Sequence, residues 1–135
     1  MIIVMTGGTS GIGAEALNTI REKKDTTVFV GARNGNTVLP NGAKTLMLDL
    51  SSLDSVRSFA ENIKQNIHPQ KIDVLILNAG VQAVKNSEVS ADGYNLTFAV
   101  NHLSHYLLAR LLMPYIADDG KLLITTSDSH DLSIR

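Results

Sequence analysis

The chain contains no cysteine, which removes disulfides, thiolate nucleophiles and thiolate metal ligands from consideration. Nor does it carry an excess of either charge: 12 Lys and Arg stand against 13 Asp and Glu, a formal net charge of -1. Without a strongly basic face, nucleic acid is not the expected partner. No apolar run is long enough for a membrane span, and the N-terminal run from Met1 to Met5 is too short for a signal-peptide core. A soluble, cytoplasmic protein is the default expectation. No repeat, low-complexity segment or linker divides the sequence. At 135 residues it can bury the core of one small domain and little more.

What is present begins directly behind that first apolar run. Thr6-Gly-Gly-Thr-Ser-Gly-Ile-Gly13 follows a candidate strand and opens an amphipathic segment. A helix N-terminus leaves N–H groups unsatisfied and carries partial positive charge, so it attracts anions. Glycine lets the backbone turn sharply and lets a ligand approach without a Cβ in the way. A strand, a glycine-rich turn and a helix start form a seat for a pyrophosphate, and a dinucleotide is the first ligand to consider. The spacing Gly7, Gly11 and Gly13 differs from the G-x-G-x-x-G fingerprint.

Further along, apolar blocks alternate with helical periods. Ile2–Met5, Thr27–Gly31, Thr45–Leu48, Ile72–Leu77 and Lys121–Thr126 read as strands, the fourth a continuous apolar run expected to be buried on both faces. Ile12, Ala16, Leu17 and Ile20 mark a first helix, with Lys23 and Lys24 suited to its C-terminus. Leu53, Val56, Phe59, Ala60, Ile63 and Ile67 mark a second, with Ser51 and Asp54 spaced as a variant capping box. Leu96 to Ile116 reads as one long helix closed by Asp118-Asp-Gly120. Residues 34–42 hold two glycines, a proline and no helical period, so a loop, or at most one turn, replaces the usual crossover helix there. Such alternation predicts an α/β fold: a doubly wound, Rossmann-type parallel sheet of about five strands between helices.

The same glycine turn matches the TGxxxGIG form of the short-chain dehydrogenase/reductase family, which the chain resembles from end to end. Asp49-Leu50 follows the third strand, where the family places an acid near the adenine. Asn78-Ala79-Gly80 matches its NAG motif. Asn101-His-Leu-Ser-His105 resembles the NHLGH stretch of the branch containing retinol dehydrogenases and protochlorophyllide reductases, with Ser104 in place of glycine. Thr126-Ser127 stands where those proteins carry the active-site serine, often followed by a histidine such as His130.

The resemblance implies a cofactor site at Thr6, Gly7, Thr9, Ser10, Gly11, Ile12, Gly13, Arg33, Asp49, Leu50, Asn78, Ala79 and Gly80. It also implies catalytic roles for Asn101 and Ser127. Enzymes preferring NAD place a carboxylate roughly 20 residues past the glycines. Gly31-Ala32-Arg33 has none, and a guanidinium can grip a 2′-phosphate. NADP is therefore expected over NAD, although Ser10 stands where many NADP-dependent members carry a second basic residue. Hydride transfer to or from a carbonyl or alcohol also requires the family's Tyr-x-x-x-Lys pair downstream of the serine, and the chain ends at Arg135 without it. Tyr106 and Arg110 are no substitute, since both precede the serine strand. The chain then supplies the cofactor half of a single domain cut after its fifth strand, inactive alone. The alternatives are a non-catalytic NADP(H) sensor or a non-functional remnant. Leu103, Leu107, Leu108, Leu111 and Leu112 make the long helix apolar on more than one face, which invites packing of helix 96–116 against another subunit. His102 and His105 are three apart but have no carboxylate in step, so structural packing is expected rather than a metal site.

Overall fold

The computed structural model describes residues 1–20, 22–39, 42–82 and 87–127. Five strands, β1 (Ile2–Thr6), β2 (Thr27–Ala32), β3 (Lys44–Met47), β4 (Ile72–Leu77) and β5 (Ile116–Ile124), form one sheet in the order β3-β2-β1-β4-β5. Every pairing is parallel. The chain steps outward from β1 to β3, then crosses to the other side of β1 to lay down β4. That reversal between β1 and β4 opens a crevice at the strands' carboxyl ends, the place where open α/β sheets bind ligands.

β1 is buried at all five positions, as befits the central strand of a sheet covered on both faces. On one face, α2 (Leu53–Ile67) and α4 (Ser104–Leu112) enclose Val4, Phe29, Val56, Phe59, Ile63, Leu75, Leu108 and Leu112. On the other face α1 (Gly11–Ile20) covers a smaller cluster of Ile3, Leu17, Val28 and Val30. At β4 and β5 that cover thins. Val74 and Ile76 are half-buried, and Leu123, in register with Ile76, is 50% exposed. The expected two-sided burial of β4 therefore holds only for Ile72, Leu75 and Leu77.

Several boundaries differ from expectation for local reasons. α1 stops at Ile20, leaving Lys23 and Lys24 beyond its last turn. The cap of α2 is Ser52, whose hydroxyl accepts the Ser55 N–H, while Ser51 is drawn back to the Asp49 carboxylate. Asp92 accepts the Leu53 N–H at the same helix start. The long helix runs as α3 (Leu96–Phe98), a π-helical turn (Ala99–Leu103) and α4, and ends at Leu112 rather than Ile116. A 3₁₀ turn containing Pro114 follows, and Ile116 already pairs with Ile72. β5 thus begins at Ile116 instead of Lys121, with a register irregularity around Asp118, Asp119 and Gly120, and stops at Ile124. Residues 34–39 contain no helix, as their glycine and absent period predict.

Candidate cofactor cleft

A cleft of about 730 Å³ opens over the β1–β4 crevice. Every expected cofactor residue borders it: Thr6, Gly7, Thr9, Ser10, Gly11, Ile12, Gly13, Arg33, Asp49, Leu50, Asn78, Ala79 and Gly80. The N-terminus of α1 lines it, with no acidic residue in its first turn to oppose an anion. The turn leading to it is fixed by contact between backbones. Gly7 has φ +70, and a Cβ there would come within 2.6 Å of the Ala79 Cα. A Cβ on Gly13 would collide with the Gly7 carbonyl and crowd Asn78 Nδ2. Gly13 is thus required by packing of helix against turn, more directly than by ligand approach.

Polar side chains hold the rest. The Thr6 hydroxyl, wholly buried, accepts the N–H groups of Asn78 (3.0 Å) and Ala79 (3.1 Å). Asn78 Nδ2 donates to the Gly7 carbonyl (3.1 Å), and its Oδ1 accepts the Thr125 hydroxyl (2.8 Å). Asn78 therefore joins β1, β4 and β5 at their carboxyl ends. Asp49 Oδ1 accepts both the N–H and the hydroxyl of Ser51, which sets the carboxylate at the cleft wall. Arg33 lies exposed at the end of β2, also on that wall.

Of the two expected catalytic residues, Asn101 stands in the π turn, a helix irregularity often found at functional sites. Its side-chain amide pairs with the backbone of Val81, accepting the N–H (2.7 Å) and donating to the carbonyl (2.8 Å). Asn101 thereby fixes the segment after Gly80. Ser127 is exposed three positions past the end of β5, not on the strand as expected, and does not border the cleft, whereas Thr125 does. His130 and Asp131 lie outside the described residues.

The two histidines are engaged separately. His102 stacks on Phe98 at 5.4 Å between ring centroids. His105 is buried, with Nε2 2.9 Å from the Thr6 hydroxyl and Nδ1 3.3 Å from the Asn101 carbonyl. Thr6 already accepts two N–H groups, so its one proton points to His105 Nε2, and Nδ1 carries the imidazole hydrogen. Burial holds the His105 pKa below the ordinary imidazole value; the Asn101 carbonyl opposes that shift and His102 adds to it. Sequence reading missed these links, along with Ser51, Val81, Leu96, Val100 and Thr125 on the cleft wall. The NAG and NHLSH stretches pointed to the region but not to the partners.

The fold and the cleft define a dinucleotide-binding α/β protein, and comparison with known proteins gives the family. Residues 1–132 match the family model for short chain dehydrogenases. The chain is 35% identical over 123 residues to the chloroplastic protochlorophyllide reductase A of Oryza sativa subsp. japonica, covering 83% of this chain and 31% of that one. It superposes on an alcohol dehydrogenase from Thermococcus sibiricus, complexed with 5-hydroxy-NADP, with TM-score 0.74 at 23% identity over 94% of this chain and 58% of that one. A short chain dehydrogenase from Burkholderia cenocepacia, in complex with NADP, gives TM-score 0.72 at 19% identity over 93% and 55%. The chain belongs to the short-chain dehydrogenase/reductase family, on its protochlorophyllide-reductase-like side. It spans less than a third of the rice relative's length.

Membership carries a nicotinamide-dinucleotide-binding fold of the kind used by oxidoreductases. One expectation is corrected. The matched plant proteins are chloroplastic, so the cytoplasmic default, which rested on composition and a short first apolar run, does not stand. Composition records no compartment. No helix among the described residues is long and apolar enough to cross a membrane.

Proposed function

We propose that this chain is the NADP-binding half of a single-domain oxidoreductase that transfers hydride between nicotinamide and a carbonyl or alcohol substrate. The observation that carries the reading is one cleft lined by the N-terminal residues of α1, by Asp49 and by Arg33. The α1 N-terminus suits the pyrophosphate and Asp49 the adenine. Arg33, at the end of β2 where a carboxylate would select NAD, suits the 2′-phosphate. When bound, the nicotinamide cofactor supplies or accepts the hydride. Asn101 holds the segment following Gly80 through Val81, and Ser127, three positions past β5, is the residue we assign to the substrate oxygen. Proton exchange needs a Tyr-x-x-x-Lys pair that the 135 residues do not contain.

The chain alone is therefore expected to bind NADPH and turn over nothing. Titration with NADPH and NADH, followed by an assay of NADPH oxidation with carbonyl compounds, tests both halves of that statement. Turnover by the pure chain would contradict the missing acid, and equal affinity for both cofactors would remove Arg33 from its role. The likeness to protochlorophyllide reductases favours a large apolar substrate. We also infer association through the α3–α4 helix, because Phe98 and Tyr106 on it, and Met113 just past it, are 49%, 59% and 46% exposed. Sedimentation of a Tyr106→Glu variant tests it, a fall to monomer being the expected result.

A further inference from the structure

One helix reaches three of the segments that line the cleft. Asn101 holds Val81 beyond β4, Ser104 holds Leu50 beyond β3, and His105 holds Thr6 at the end of β1. Ser104 is fully buried, and its hydroxyl donates to the Leu50 carbonyl at 2.7 Å. Leu50 itself is buried and borders the cleft between Asp49 and Ser51. Glycine at position 104 would leave that carbonyl without this donor. The neighbouring His105 reaches the other way, to the buried hydroxyl that also collects the Asn78 and Ala79 N–H groups.

Resting on the cofactor reading above, the geometry points to Ser104 and His105 as two separate positioning residues, Ser104 for the adenosine end and His105 for the pyrophosphate turn. Neither touches the cofactor space. Ser104 acts through the Leu50 carbonyl, which sets the Asp49–Ser51 segment. His105 acts through Thr6, which sets the peptide leading into Gly7 and ties it to Asn78 and Ala79. Two adjacent residues of one helix then tie the adenosine wall and the glycine turn to each other. An elongated ligand spanning both ends senses both anchors, while a ligand confined to one end senses one.

The test is calorimetric titration of the full 135-residue chain and its variants with NADPH and with adenosine 2′-monophosphate, which has no pyrophosphate. Ser104→Ala is expected to weaken both ligands by the same factor, roughly three- to tenfold for one lost hydrogen bond. His105→Leu is expected to weaken NADPH by a similar factor and leave adenosine 2′-monophosphate unchanged. His105→Gln, which can return an acceptor to Thr6, is expected to recover most of the loss. Unchanged affinity of Ser104→Ala for the mononucleotide overturns the adenosine assignment. Equal losses for both ligands in His105→Leu reduce His105 to a general packing residue. Should His105→Leu lose its native circular dichroism, Ser104→Ala and His105→Gln decide alone. If the parent binds both ligands and Ser104→Ala matches it, only this inference fails. If the folded parent binds neither, the cofactor reading falls and this inference with it.

Discussion

The two ends of the cleft are held by different physics. At the turn between β1 and α1 the geometry is steric: Gly7 takes a left-handed φ against Ala79, and Gly13 sits on the Gly7 carbonyl with no room for a Cβ. At the far end, around Val81, it is held by the side-chain amide of Asn101, open to solvent. Steric positioning is brittle, because an added carbon has to displace backbone. Hydrogen-bonded positioning is softer, because water can replace a partner at an exposed site. The turn end should therefore fail abruptly on substitution and the far end gradually.

The largest expected effect is at Gly13. Gly13→Val should abolish NADPH binding and cost on the order of 3 kcal/mol or more of stability, since the clash falls on backbone. Thermal melting alongside titration checks this, and a variant as stable as the parent would erase the contrast between the ends. Next is Arg33→Asp, exposed on the cleft wall just past β2. Loss of a charge-assisted contact with a 2′-phosphate should lower the preference for NADPH over NADH by roughly 10- to 100-fold. The melting temperature should stay unchanged, because Arg33 makes no hydrogen bond or ion pair among the described residues. At the far end, Asn101→Ala removes two bonds to the Val81 backbone and should cost only about 1 kcal/mol, measured by urea unfolding.

The smallest effect is in pH, and it reads the link between the two ends. His105 is neutral in the fold, and burial depresses its pKa. In the unfolded chain it titrates near its ordinary value of about 6.5. As pH falls through that value, the unfolded state takes up a proton that the folded state refuses, so stability declines until the folded pKa is passed. Stability should be full above about pH 7 and fall toward acid, with His105→Gln flattening the slope.

The same contrast explains what the sequence made legible. Glycine required by sterics announces itself, so the turn, its strand and its helix could be read directly, as could the absence of a helix over residues 34–39. All thirteen positions assigned to the cofactor do border one cleft. Hydrogen-bond partners remote in the chain leave no such mark. Thr6 and His105 are 99 positions apart, and Ser104 and Leu50 are 54 apart, so neither pairing follows from spacing. Boundaries failed where a competing partner intervened. Asp49 claimed Ser51 and moved the α2 cap to Ser52, and Pro114 with the Ile72–Ile116 pairing ended the long helix early. Ser127 was read onto the strand end by motif alone, while Thr125 occupies the cleft wall there.

The most direct measurement is a calorimetric titration of the folded 135-residue chain with NADPH, repeated with NADH. The account predicts saturable binding of one NADPH per chain, tighter than NADH by roughly tenfold or more, as expected of a charge-assisted grip on the 2′-phosphate. A chain with native circular dichroism that binds neither dinucleotide, or that favours NADH, would contradict it.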